Sequence, residues 1–180
     1  MATTTSRSGI DALLYLLDDA FRGRGIEESN ESQALLTNLA TVSSETWRSL
    51  APGASRSIEA IAIHVGACKL MYDDYAFGPG KLQFGTPAVE PWGADGPAPK
   101  AELTEWLERS HETLVEHVRA LGADDELDRE RMTNWGEPRP TRWIIAAMIT
   151  HDAYHAGEIN HLRSILGGDD RWRYVQLGFG

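Results

Sequence analysis

The sequence is short of several features that would place it in other classes of protein. Cys68 is the one cysteine, which excludes an intrachain disulfide and fits a reducing compartment. Lys and Arg number 17 against 27 Asp and Glu, so the net charge is −10 and nucleic-acid binding is not expected. The chain has no hydrophobic run of membrane-spanning length and no signal-peptide pattern at its N-terminus. We therefore expect a cytoplasmic protein with neither a membrane nor a nucleic-acid partner.

Hydrophobic residues recur at helical spacing along most of the chain, and no alternation typical of strands is present. With 180 residues, 42% of them hydrophobic, the chain is long enough for one domain with a substantial core, which we place at residues 1–180. The spacing predicts four long helices, at residues 27–50, 57–77, 100–121 and 141–167, with a short helix at residues 10–21 in front of them. Residues 123–139 are predicted to be a polar loop. The predicted fold class is all-α, a four-helix bundle.

One long stretch interrupts this helical pattern. Residues 78–99 hold five of the 17 glycines and five of the eight prolines, a composition that disfavours both helix and strand. In a bundle, a connection of this length carries the chain from one end back to the other. We therefore expect a long crossover between the second and third long helices, which makes those two helices parallel.

Three histidines fall on core-facing positions of two predicted helices. His151 and His155 are one turn apart in the last helix, so their rings project from the same face. His64 lies among apolar residues in the second long helix. Burying imidazoles is unfavourable unless something binds them. If the two helices are adjacent, the rings converge, which predicts a divalent metal site with positions open to water or substrate; zinc, nickel or iron would accept these ligands.

Each of these residues also has a purely structural interpretation. A single histidine in an apolar stripe is often a hydrogen-bonded core residue, and histidines four apart are common on exposed helix faces. Glu158 follows on the same stripe and is the hydrogen-bond partner of an imidazole, a metal ligand or a catalytic base. Cys68, one turn from His64, is either a ligand or a small buried hydrophobic residue. His111 and His117 lie on a charged helix and are expected to be solvated.

Two segments match the motifs of a known family. They are the residues from Ser57 to His64, and the run HDAYHAGEI at residues 151–159 with Leu162 and Arg163 after it. They resemble the DinB-like superfamily, which includes mycothiol-dependent and bacillithiol-dependent enzymes, and the resemblance covers residues 33–166. It implies an up-down-down-up four-helix bundle, usually a homodimer, with a divalent metal held by His64, His151 and His155. Characterised relatives use the metal to deprotonate a low-molecular-weight thiol that attacks an electrophile, whereas many members have no demonstrated activity.

Two functions from different classes follow from these observations. The first is a metal-dependent thiol S-transferase or isomerase, with a small thiol and an electrophile as substrates and Glu158 as the candidate catalytic residue. A preference for arginine over lysine, typical of GC-rich genomes, favours mycothiol as the thiol. The second is a non-catalytic metal-binding stress or sensor dimer, which a fourth protein ligand would favour. The six tryptophans, the aromatic C-terminal tail and the N-terminal amphipathic helix also predict a homodimer, because one bundle does not bury so much apolar surface.

Overall fold

A computed structural model of the protein describes residues 6–23, 34–93 and 97–168. Within these residues the protein is mostly helical, in agreement with the predicted all-α class, and has in addition one small two-stranded sheet. The helices are α1 (Ser8–Arg22), α2 (Leu35–Ala40), α3 (Ile58–Phe77), α4 (Lys100–Arg119) and α5 (Thr141–Gly167), and the strands are β1 (Glu130–Met132) and β2 (Pro138–Pro140). A short 3-10 helix, Asp124–Asp128, precedes β1.

The helix α3 packs against both α4 and α5, and 14 of its 20 residues are buried. Residues close in sequence determine where α3 begins, because the hydroxyl of Ser57 accepts a hydrogen bond from the backbone N–H of Ala60 at 3.2 Å. Gly66 sets the distance to α4. A Cβ at this position would lie 2.1 Å from the indole of Trp106, so only glycine allows the two helices to approach this closely.

The short N-terminal helix predicted at residues 10–21 is present as α1, and it packs into the helical core. The 15 residues of α1 pack against α4 and α5. Ile10, Leu17 and Phe21 are fully buried there. Gly23, with φ of 77°, ends the helix with a left-handed cap whose N–H donates to the carbonyl of Asp19. The buried face of α1 therefore supplies core contacts to α4 and α5.

The prediction of a long helix at residues 27–50 is wrong for residues 34–50, the part of it that the structure describes. Of residues 34–50, only α2 is helical, and residues 24–33 lie outside the described part of the chain. Ser43 Oγ accepts a hydrogen bond from the N–H of Thr46 at 3.2 Å, and the Thr46 hydroxyl donates to the Ser43 carbonyl at 3.2 Å. Such local side-chain bonds compete with helical ones. Trp47 is nevertheless buried and donates its indole N–H to the carbonyl of Ala98 at 3.2 Å, so the apolar positions reach the core without a continuous helix.

The glycine- and proline-rich connection contains neither helix nor strand in its described residues, 78–93 and 97–99, as its composition predicted. Two buried carboxylates of α3 hold its ends. Asp74, near the end of α3, accepts hydrogen bonds from the backbone N–H groups of Lys81 and Leu82 at 2.6 and 2.8 Å. Glu59, in the first turn of α3, accepts one from the N–H of Ala98 at 2.7 Å. The connection is therefore attached to both ends of the same helix.

A β-hairpin occupies part of residues 123–139, where a polar loop without strands was predicted. The strands β1 and β2 pair in antiparallel orientation. The turn between them is closed by the Thr133 hydroxyl, which donates to the carbonyl of Glu137 at 2.6 Å, and by Gly136, whose φ of 85° favours glycine. Because proline cannot donate to a strand ladder, the two prolines of β2 concealed the strand in the sequence.

Two further expectations concern the tail and the membrane. The aromatic tail, expected to pack on the protein, falls in residues 169–180 and lies outside the described residues. Among the helices of the described residues, none combines the length and the apolar character that crossing a membrane requires.

Candidate metal centre

The three histidines predicted as metal ligands lie on two helices that pack against each other. His64 is on α3, whereas His151 and His155 are on α5. The ring centre of His64 is 5.2 Å from each of the other two, and those two are 4.4 Å apart. His155 is buried, and the other two are half-buried. The structure therefore brings the three predicted residues together.

The spacing of the ring nitrogens suits one bound cation. His151 Nε2 lies 3.2 Å from His64 Nε2 and 3.2 Å from His155 Nε2. A hydrogen bond accounts for either contact alone, but Nε2 offers one hydrogen or one lone pair and cannot serve both neighbours well. Two imidazole nitrogens on a tetrahedral metal, each about 2.0–2.1 Å from it, are about 3.3 Å apart. A shared cation is compatible with both contacts at once.

Glu158 fixes the orientation of His155. Its Oε2 accepts a hydrogen bond from His155 Nδ1 at 2.7 Å, and its Oε1 accepts one from Arg56 Nη2 at 3.3 Å. An ionised carboxylate only accepts, so the proton lies on Nδ1 and the lone pair of Nε2 is available to the other rings. Glu158 was predicted to be a hydrogen-bond partner of an imidazole, a metal ligand or a catalytic base. Its contact with His155 is that of a hydrogen-bond partner. Arg56 was missed in the sequence because it lies in the loop before α3.

Burial favours the neutral form of all three imidazoles. Desolvation lowers the pKa of His151 to about 3, with further lowering from His155 and His64. Desolvation also lowers the pKa of His64 and of His155, although the carboxylate of Glu158 opposes the change at His155. A neutral imidazole has the free lone pair that a metal needs.

A buried ion pair lies directly beside the histidines. Lys69 Nζ is 2.6 Å from Asp152 Oδ2, and both side chains are fully buried. Burial lowers the pKa of Lys69 and raises that of Asp152, while each charge opposes the change in its partner. Within the described residues, Asp152 Oδ1 and the neighbouring His151 Nδ1 are buried atoms without a hydrogen-bond partner. This pair was not predicted from the sequence, in which the available signal was a lysine within the apolar run of α3.

His111 is buried, so the expectation that it is solvated is wrong. It is 0% exposed and stacks on Phe21, with ring centres 3.9 Å apart and planes 6° apart. Desolvation lowers its pKa, and the nearby charge of Lys69 adds to this effect. His117 is partly exposed and lies 2.8 Å from a carboxylate oxygen of Asp73. The charged residues on either side of His111 in α4 obscured its core position.

Cys68 lies next to the histidines. Its Sγ is 3.8 Å from Nδ1 and 3.7 Å from Nε2 of His64. The donor atoms of His64, Cys68 and His151 all lie within 4.8 Å of one another. Desolvation raises the pKa of the Cys68 thiol to about 12. The site thus has two overlapping groups of donors, one with Cys68 and one with His155, and both groups include His64 and His151.

A groove of about 650 Å³ lies elsewhere, between α1 and α4, and is lined by charged residues that include Asp18, Arg22 and Glu112. None of the three clustered histidines lines it. Donor chemistry, rather than the size of a cavity, therefore identifies the candidate centre.

The fold and site define a mostly helical protein with a candidate metal centre of histidines between two helices. The family model of the DinB superfamily matches residues 28–159, a span that includes all three histidines. No curated protein matches the sequence. Because the family model covers more than half of the chain, the chain belongs to the DinB superfamily. Proteins of this superfamily bind divalent metals, and the group of His64, Cys68 and His151 is compatible with such a site.

Proposed function

We propose that this protein binds a divalent metal through the Nε2 atoms of His64, His151 and His155 and is a metal-dependent thiol S-transferase or isomerase. The observation that carries the proposal is the pair of 3.2 Å separations around His151 Nε2. Membership of the DinB superfamily supports a divalent metal. Zinc, nickel and iron each accept imidazole ligands, so all three are candidates.

The proposed substrates are a low-molecular-weight thiol of the mycothiol type and an electrophile. A bound divalent metal supplies Lewis acidity, which lowers the pKa of a thiol that is otherwise about 8.5. The protein's own contribution is the shape and charge of the site. Neutral imidazoles leave the positive charge of a metal undiminished, and the partial exposure of His64 and His151 leaves one side of the site accessible to a small molecule.

We assign Glu158, the candidate catalytic residue, the role of holding His155. Both oxygens of its carboxylate have partners, His155 on one side and Arg56 on the other. A carboxylate held in this way is suited to orienting a ligand and raising its basicity.

We also propose the up-down-down-up order of helices with a long crossover. The supporting observation is the attachment of the connection to Asp74 at the end of α3 and to Glu59 at its start. A chain that leaves one end of α3 and is bound again at the other end begins α4 beside the start of α3. This placement favours parallel α3 and α4.

A cytoplasmic homodimer is the proposed state of the protein. Trp143, Tyr154 and Ile165 on α5 are 40%, 67% and 49% exposed, and their spacing of 11 residues places them on one face of the helix. A second copy of the chain would bury this face. Light scattering of wild type should give twice the 19.9 kDa chain mass, and Tyr154→Arg should give a monomer. A wild-type mass near 20 kDa at micromolar concentration would contradict the dimer.

The second candidate function is a non-catalytic metal-binding stress or sensor protein. The observation that favours it is the position of Cys68, whose sulfur lies 3.7 Å from His64 Nε2. A fourth protein donor closes a tetrahedral centre, which is typical of structural metal sites.

Metal analysis followed by a thiol-conjugation assay tests the proposal. Purified protein should contain about one zinc, nickel or iron per chain and should consume mycothiol or bacillithiol in the presence of a generic aryl halide electrophile. Chelation or His64→Ala should abolish both properties, whereas His161→Ala, an exposed histidine of α5, should retain both. Bound metal without consumption of any thiol would favour the second candidate. Protein that binds none of these metals would refute both functions.

A further inference from the structure

Cys68 and His64 repeat on α3 the arrangement that His151 and His155 have on α5. In each helix the two donor residues are four apart, so their side chains project from one face about one turn apart. The two helices pack against each other, and the donor atoms of His64, Cys68 and His151 lie within 4.8 Å of one another. Donors from both helices therefore meet here, and His155 Nε2 lies 3.2 Å from His151 Nε2.

Three of the six separations among these four donors are close to the values of one tetrahedral centre. A sulfur at about 2.3 Å and a nitrogen at about 2.0–2.1 Å from the same metal are about 3.6 Å apart at the tetrahedral angle. The distance from Cys68 Sγ to His64 Nε2 is 3.7 Å. The 3.2 Å nitrogen separations around His151 likewise approach the value of about 3.3 Å for two nitrogen ligands.

The usual role of a buried cysteine is that of a small hydrophobic residue. Cys68 is 7% exposed, and its sulfur is almost equally distant from Nε2 and Nδ1 of His64, at 3.7 and 3.8 Å, so it lies over the ring. A rotation of either side chain would bring the sulfur and one ring nitrogen onto the same metal. We infer that Cys68 is a fourth protein ligand, so that the centre has three histidine donors and one cysteine donor. The inference rests on the metal centre of the proposed function.

A cysteine ligand changes the chemistry of the centre. The thiol releases its proton to solvent as the thiolate binds, so the net charge of the centre is one unit lower than with three imidazoles alone. A sulfur donor also selects zinc over hard cations such as magnesium and manganese. An external thiol then enters only as a fifth ligand, as occurs in zinc centres that expand their coordination. With Cys68 as a ligand, thiol activation therefore requires a five-coordinate metal, and the non-catalytic function is favoured.

Cobalt(II) substitution reports the ligand directly. Metal-free wild type, Cys68→Ser, Cys68→Ala and His155→Ala are titrated with cobalt(II) while the absorption spectrum is recorded. Wild type should show the visible bands of tetrahedral cobalt and a near-ultraviolet sulfur-to-cobalt charge-transfer band. Because the chain has one cysteine, a thiolate band arises only from Cys68. Both Cys68 variants should keep visible bands and lose the charge-transfer band, whereas His155→Ala should weaken cobalt binding.

The outcomes separate this inference from the function on which it rests. Visible bands in wild type without the charge-transfer band would overturn the Cys68 assignment and leave the three-histidine centre in place. Wild type without any cobalt-dependent absorption would overturn both. If the Cys68 variants do not fold, X-ray absorption of zinc-loaded wild type decides the question. A sulfur neighbour at about 2.3 Å from zinc supports the assignment, and a shell of nitrogen and oxygen alone refutes it.

Discussion

Replacing His155 with alanine distinguishes a metal centre from a cluster of histidines that only packs the core. His155 is 3% exposed, lies 3.2 Å from His151 through its Nε2, and donates to Glu158 at 2.7 Å. In metal-free protein the variant loses this hydrogen bond and leaves a cavity, but it also removes a buried polar ring. These effects oppose each other, so the free energy of unfolding without metal should change by only about 1–2 kcal/mol.

The effect in the presence of metal should be much larger. A ligand that binds only the native state stabilises it by about 2.7 kcal/mol when its concentration is 100 times Kd. For a domain of this size, 1 kcal/mol corresponds to about 2–4 °C in Tm, so saturating metal should raise the wild-type Tm by about 5–11 °C. His155→Ala lacks one of the ligands, and its Tm should change little on adding the same concentration of metal.

The assay is a set of melting curves recorded with chelator and with excess zinc or nickel. His161→Ala is the matched control, because His161 is an exposed histidine on the same helix and outside the cluster. The control should retain the full metal-induced shift. Equal shifts in wild type and His155→Ala would refute the reasoning and would mean that the histidines are core residues.

Three further predictions concern stability in the absence of metal. Gly66→Ala should lower the free energy of unfolding by about 1–3 kcal/mol, because the added Cβ would collide with the indole of Trp106. Gly157→Ala, with open space around it, should instead raise the free energy of unfolding by about 0.5–1 kcal/mol. Urea titrations measure both changes, and equal effects would contradict the packing argument. Lys69→Met should lower the free energy of unfolding by about 3–5 kcal/mol, because it leaves the Asp152 carboxylate buried without its partner. Adding Asp152→Leu to Lys69→Met should restore most of the lost stability. A double variant no more stable than the single one would contradict this. The lowered pKa of His111 means that below about pH 6.5 the unfolded chain binds a proton there that the folded chain does not. Stability should therefore fall as pH drops below 6.5, by up to about 1.4 kcal/mol per pH unit from this residue, and His111→Gln should show a shallower fall than wild type in urea titrations at pH 5 to 7.

The helices that begin and end on local signals could be predicted from the sequence alone. The predicted helices at residues 57–77 and 141–167 agree closely with α3 and α5, because a capping serine, a proline before the first turn and a glycine after the last turn act on their own neighbours. The same helical spacing placed His64, His151 and His155 on core-facing positions, and the structure brings their rings together. That they bind a metal stays a prediction.

Features in which contacts with distant residues override the local sequence pattern could not be predicted from the sequence. The segment after α2 has the apolar spacing of a helix, but short polar side chains bond to its backbone and Trp47 is bonded to the distant Ala98. His111 looks exposed among charged neighbours, yet it stacks on Phe21 of a helix 90 residues away in sequence. Likewise, the pair of Lys69 and Asp152 does not follow from periodicity. Periodicity assigns a residue to a face of a helix, and only the packing of that face against particular neighbours determines which atoms meet.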